Sequence, residues 1–269
     1  MKQACSVTLL GIRGSVPVEG DAYRHCGQGT TCILVRLAGQ PVVVDAGTGI
    51  LRLEEALDPE ERDLPLLLTH AHADHLMGFG LCPLLFQKTT RMQVYGRTRA
   101  GLTAEDQLRR FLSPPLWPVG PELLPAEIGF QELGETLTLG PVTVQTLEGA
   151  HPGGVSLLRL TGGGKTVVVM TDCTLTVPVR DRFLDFARDC DLLLVDGQYS
   201  PEEWPTRSTF GHSTWEQAAA FGQDCRAGQV RIIHHDPGHT DAVLLRAEAA
   251  LTARYPQCRF GRGGEEIPL

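Results

Sequence analysis

Apolar positions come in short, largely β-branched runs punctuated by Gly, Pro and Asp: Val7–Leu10, Cys32–Leu37, Val42–Val44, Leu64–Leu68, Met92–Tyr95, Val142–Leu147, Val155–Leu160, Thr166–Met170, Leu192–Val195 and Val230–Ile233. This pattern predicts strands. Val167-Val168-Val169 and Leu192–Val195 are continuously apolar, as in strands covered on both faces. Between the runs, helical spacing predicts helices over 49–57, 103–112, 178–189, 214–223 and 241–255. Ser213, with Glu216 three residues on, reads as a capping box that opens the fourth. So many strands in mixed order with helices predict an α/β chain. Two sheets covered outside by helices, a four-layer αββα sandwich in one domain spanning 1–269, account for it. The stretch Ser113–Pro125 holds five of the eighteen prolines and reads as an ordered loop over a pocket, not as a domain boundary.

Composition narrows the partners. Hydrophobic content of 42% and charged content of 21% suit a soluble globular protein with a real core. The formal net charge of −8 opposes non-specific attraction to phosphate backbones, so large nucleic acids are not expected partners. No apolar run approaches the ~20 residues needed to span a bilayer, and no membrane association is expected. The amino terminus runs straight into a strand, with no signal peptide visible. Eight scattered cysteines without a CxxC read as free thiols in a reducing cytoplasm.

Candidate chemistry sits where strands end. The run Leu66-Leu67-Leu68 leads into Thr69-His70-Ala71-His72-Ala73-Asp74-His75, three imidazoles and a carboxylate spaced by alanines. That donor set suits zinc, manganese or iron. His151, Asp172 and the pair His234-His235 also follow apolar runs, so their tips can converge at one end of a sandwich. Asp45, after Val42–Val44, reads by itself as a turn or helix-cap aspartate. His25, Cys26, Cys32 and His239 form a loose second candidate, for a structural metal.

The chain resembles the metallo-β-lactamase superfamily, whose mark is His-x-His-x-Asp-His after a strand, and the resemblance runs over nearly the whole chain. It implies a dinuclear site for two divalent ions, zinc foremost with manganese or iron as alternatives. His70, His72 and His151 would hold one ion, and Asp74, His75 and His235 the other, with Asp172 bridging. His234 competes with His235, which is preferred as the second residue beyond the apolar run. Two such ions, about 3.5–4 Å apart, can share a nucleophilic hydroxide.

Three features narrow the reaction. Asp196, in Asp196-Gly197-Gln198-Tyr199, and His212, in Gly211-His212-Ser213-Thr214, resemble the acid-supported histidine of the ribonuclease Z branch, with Asp74, His212 and Asp196 as catalytic groups. The amino-terminal Gly11–Pro17 and Cys26–Cys32 segments resemble that branch too, although Gly-Gln-Gly-Thr-Thr-Cys replaces its commoner Gly-Asn-Thr-Ser-Cys. Asp172 follows His151 by only 21 positions, leaving no room for the basic arm of the tRNA-processing enzymes. The expected function is therefore a cytoplasmic phosphodiesterase opening a small cyclic phosphodiester, such as a cyclic nucleotide or ribosyl cyclic phosphate. The resemblance implies a homodimer. Alternatives are glyoxalase-type thioester or lactone hydrolysis on the same ions, a tRNA 3′-processing ribonuclease, and a cyclic-nucleotide sensor. Trp117 could stack on a base and Arg13 could meet a phosphate; internal packing and solvation are their competing readings.

Overall fold

The computed structural model describes residues 5–176 and 178–269. Strands β1 (Ser6–Gly11), β2 (Cys32–Leu37), β3 (Gln40–Val44), β4 (Asp63–Leu67), β5 (Arg91–Gly96) and β6 (Glu127–Glu132) lie side by side in chain order. The second sheet follows in the same fashion: β7 (Thr136–Leu139), β8 (Val142–Glu148), β9 (Ser156–Gly162), β10 (Lys165–Met170), β11 (Leu192–Asp196), β12 (Gln229–Ile233) and β13 (Cys258–Phe260). The last strand, β14 (Glu265–Pro268), returns to pair with β1.

Three apolar clusters define the layers. One, including Val35, Val44, Val144, Leu160 and Val169, fills the space between the sheets. A second packs the outer face of the second sheet under α4 (Arg180–Ala187), α6 (Trp215–Asp224) and α7 (Asp241–Arg254), with the one-turn α5 (Trp204–Arg207) between the first two in the chain. The third covers the first sheet under α1 (Leu53–Ala56), α2 (Ala73–Leu76), α3 (Ala104–Phe111) and short 3₁₀ turns. The arrangement is the αββα sandwich expected from the sequence. Strands such as β10 and β11 are continuously apolar because both of their faces meet a core.

All ten apolar runs became strands. β6, β7, β13 and β14 went unpredicted: β6 and β7 are edge strands with few apolar positions, and β13 and β14 are only three and four residues long. Edges need one covered face or less, so little apolar signal marks them. The helix expected over 49–57 is a 3₁₀ turn followed by α1. The capping box of α6 is built by Thr214 and Gln217, not by Ser213 and Glu216. The Ser213 hydroxyl instead accepts from Leu175 N and donates to Cys173 O, tying the loop to the strand end after β10.

Strand direction positions the site. β3–β6 run parallel, as do β10–β13. Parallel strands open all their carboxyl ends onto one edge of a sheet, where ligands bind in such folds. Asp45, His70, Asp172, Asp196 and His234 all stand at such ends. β9 and β10 are joined by a two-residue turn, Gly163-Gly164, with φ of 60° and 74°. This left-handed pair is what a tight hairpin demands of glycine. Among the described residues no helix is long and apolar enough to cross a membrane.

Candidate metal centre

β4 ends at Leu67, and the following residues turn into α2, which presents Asp74 and His75 inward while His72 stays exposed. His70, His72, His151 and Asp172 form one group of donors; Asp74, His75, Asp172 and His234 form another, with the donor atoms of each group within 4.8 Å of one another. Asp172 belongs to both. Its Oδ1 lies 3.7 Å from His70 Nε2, 3.8 Å from His151 Nε2 and 3.2 Å from His234 Nε2, and its Oδ2 lies 3.1 Å from His75 Nε2. His151 Nε2 faces His72 Nδ1 at 3.1 Å.

The donor set fits divalent ions on an internal observation. Nε2 of His70 and Nε2 of His75 are buried and have no hydrogen-bond partner among the described residues, although each points at a carboxylate. Buried polar nitrogens are seldom left unpaired in native proteins, and a ligated ion accounts for both. Asp172 can serve both groups at once.

Electrostatics follow from burial and crowding. Burial pushes the His70, His72 and His151 rings below their ordinary range, which keeps them neutral. Burial acts against charge on His75 and His234, yet the facing carboxylates prevail. Asp172, Asp74 and Asp45 raise His75, and Asp172, Asp74 and Asp196 lift His234 to about 9. Burial likewise opposes ionisation of Asp74 and Asp172, but the facing imidazoles hold both well below the carboxylate range. The facing carboxylates favour positive charge at this spot, which a bound cation would supply.

The structure corrects the last ligand. His234, not His235, enters the donor group. His234 sits one residue past β12 in the left-handed region (φ 64°), which turns its ring toward Asp74 and Asp172. His235 points the other way. Its backbone bridges Ile12 and Gly14, its ring lies against Phe260, and its Nε2 meets Gly261 O at 3.2 Å. Desolvation, and then the Arg13 charge, push His235 down to about 3. Asp45 (φ 60°) and Asp172 (φ 52°) share the left-handed backbone of His234. Such strain in residues with side chains costs about 1–3 kcal/mol each and clusters at functional sites.

Asp45 was missed as part of the site. Its Oδ2 accepts from His75 Nδ1 at 2.7 Å and from the Thr69 hydroxyl, and its Oδ1 accepts from Thr69 N. It thereby leaves His75 Nε2 free for an ion. The available signal was an acid ending an apolar strand beside glycines. Ser15, whose N–H donates to Asp74 Oδ2 at 2.7 Å, was also missed, because that contact spans 59 positions. Gly14 allows it: a Cβ there would lie 2.4 Å from the His234 ring.

Asp196 and His212 meet as expected, with His212 Nδ1 2.8 Å from Asp196 Oδ2. The other oxygen accepts from Ser213 N at 2.8 Å. The His212 ring stacks on His234 with centroids 5.0 Å apart and stands edge-on to His151. The phosphate role of Arg13 and the second metal site fail, while Trp117 follows its internal-packing reading. Arg13 is fully buried and holds the carbonyls of Gly27 and His239, so it faces no phosphate. Trp117 packs on Gly80 beside the outer core of the first sheet. Cys26 and Cys32 lie in different cores, and His25, Cys26, Cys32 and His239 do not come together among the described residues.

A sandwich whose parallel strand ends converge two histidine–aspartate donor groups on one shared aspartate defines a metal-dependent hydrolase. The chain belongs to the β-lactamase superfamily: residues 41–235 match the family described as "Beta-lactamase superfamily domain". It is similar to the probable metallo-hydrolase YhfI of Bacillus subtilis (strain 168), at 25% identity over 85% of this chain and 86% of that protein. A ribonuclease Z of Bradyrhizobium diazoefficiens is 24% identical over 97% of this chain and 99% of that enzyme. Among solved structures, B. subtilis YhfI superimposes with a TM-score of 0.75 at 21% identity, covering 98% of this chain and 99% of that one. A diphosphatase from the PhnP family gives 0.73 at 17%, covering 98% of both chains.

Proposed function

We propose that the protein hydrolyses a small cyclic phosphodiester, a cyclic nucleotide or ribosyl cyclic phosphate, with two zinc ions. His70, His72, His151 and Asp172 would hold one; Asp74, His75, His234 and Asp172 would hold the other. The ions, when bound, supply Lewis acidity toward the phosphoryl oxygens and a water of lowered pKa. The protein supplies the rest. Asp196 fixes the Nδ1 proton of His212, which leaves Nε2 as the ring nitrogen that can protonate a leaving alkoxide. Ser15 N and His234 hold Asp74 at the same mouth.

The observation that carries this reading is the His212–Asp196 pair standing over the donor groups, since ester or thioester hydrolysis on carbon does not need it. The relatives named ribonuclease Z and the PhnP-family diphosphatase fold support phosphorus as the target. Small size is supported by the two-residue β9–β10 turn and by the net charge of −8. A tRNA 3′-processing ribonuclease is the second reading, favoured by ribonuclease Z relatives that match along nearly the whole chain. The comparison with the first of them runs over 316 positions against 269 residues here, so that enzyme carries insertions this chain lacks.

The test is a turnover screen of 2′,3′- and 3′,5′-cyclic nucleotides, ribosyl cyclic phosphate, S-lactoylglutathione and a precursor tRNA, with zinc and manganese compared. Opening of a cyclic phosphodiester is expected. Cleavage of the tRNA or thioester alone defeats the proposal.

A further inference from the structure

Asp196 Oδ2 has two imidazoles nearby. His212 Nδ1 stands at 2.8 Å, and His234 Nδ1 at 3.6 Å. At 3.6 Å, His234 Nδ1 is beyond hydrogen-bond distance of that oxygen and needs another partner. A buried side chain outside the predicted set supplies it. Gln198, 2% exposed and two residues beyond β11, places Oε1 3.1 Å from His234 Nδ1.

The orientation of that amide follows from its other neighbours. Its Nε2 lies 3.3 Å from Ser15 Oγ and 3.5 Å from Asp236 Oδ2. A carboxylate only accepts, so the NH₂ end faces Asp236 and the carbonyl end faces His234. His234 must then donate from Nδ1, which leaves Nε2 toward Asp74 Oδ2 at 3.1 Å and Asp172 Oδ1 at 3.2 Å, the side where an ion would sit. Arg207 closes the chain from the surface, donating to Asp236 Oδ2 at 3.1 Å.

We propose that Gln198 is a positioning residue: it fixes the His234 tautomer for ion binding and so reserves Asp196 Oδ2 for His212. The second half rests on the proposed role of His212 as the leaving-side acid. Without the Gln198 carbonyl, the His234 N–H turns to Asp196, and both the ion site and the acid pair loosen together.

Gln198→Met, which keeps side-chain length and removes both amide groups, tests this on full-length protein. Zinc affinity by chelator competition is expected to fall about tenfold or more, the usual consequence of removing an outer partner of a ligating histidine. At saturating zinc, turnover of a cyclic nucleotide, whose leaving group is an alkoxide, is expected to fall several-fold more than that of bis(p-nitrophenyl) phosphate, whose leaving group needs no proton. Gln198→Glu, which keeps an acceptor oxygen, is expected to retain zinc affinity, and it serves if the Met variant does not fold. Unchanged affinity and an unchanged substrate ratio in Gln198→Met overturn the proposal, as does equal loss of affinity in Gln198→Glu. His212→Ala run in parallel separates the two ideas. If it shows no leaving-group bias, the reading of His212 fails; if it shows the bias and Gln198→Met does not, Gln198 does not reserve Asp196 for His212.

Discussion

His234 and His235 are chain neighbours with opposite environments: the first reaches Asp74 and Asp172 with Nε2, and the second is sealed against Phe260 and Gly261. His234→Ala is therefore expected to lose the ion held with Asp74 and His75, seen as a halved zinc content. His235→Gln is expected to keep both ions and lose about 1–3 kcal/mol of stability from a misfitted buried group. Equal zinc content in both variants would contradict the assignment.

Acid sensitivity should carry the signature of His235. Its ring is held at about 3 in the folded protein against an ordinary 6.5, so the unfolded chain binds its proton first as pH falls. Its contribution is intact above about 6.5 and erodes as pH drops toward 3. Urea unfolding of chelator-treated protein should show the advantage of wild type over His235→Gln shrinking by about 2 kcal/mol between pH 7.5 and 5. A constant gap would refute this.

The His212–Asp196 pair yields a second separation. His212→Ala and Asp196→Asn are expected to retain zinc while slowing hydrolysis of an alkoxide-leaving substrate by about 10²–10⁴-fold. Elemental analysis and turnover on the same samples check it; a slowdown explained wholly by lost zinc would count against a leaving-side role.

Asp45 touches no shared donor, yet it sets His75. Replacing it by Ala removes the acceptor of His75 Nδ1 and the anchor of Thr69. About ten- to a hundredfold weaker zinc binding is expected by chelator competition. Unaltered affinity would reduce Asp45 to a turn residue.

Gly14→Ala probes the wall behind His234. A Cβ 2.4 Å from that ring forces it to move. Zinc at the Asp74–His75–His234 group is expected to weaken by at least tenfold with little change in circular dichroism, and tight binding of both ions would show that the ring is not confined.

Local pattern was enough for much of this molecule. The apolar runs specified the interior strands, because burial on two faces demands continuous apolar sequence. The compact His70–His75 segment announced a metal site without any fold, since four donors within six residues have few other uses. What lay beyond local pattern were relations between distant segments. Asp45 acquires its role only when β3 and β4 lie parallel, bringing it to His75. Ser15 and Gln198 matter because loops far apart in sequence close on Asp74 and His234. The choice between His234 and His235 turned on one left-handed backbone angle at the end of β12, which decides the face that each ring takes. That turn sends the two neighbouring rings to opposite faces, so a one-residue ambiguity in the sequence becomes a choice between core and site that only the tertiary structure makes.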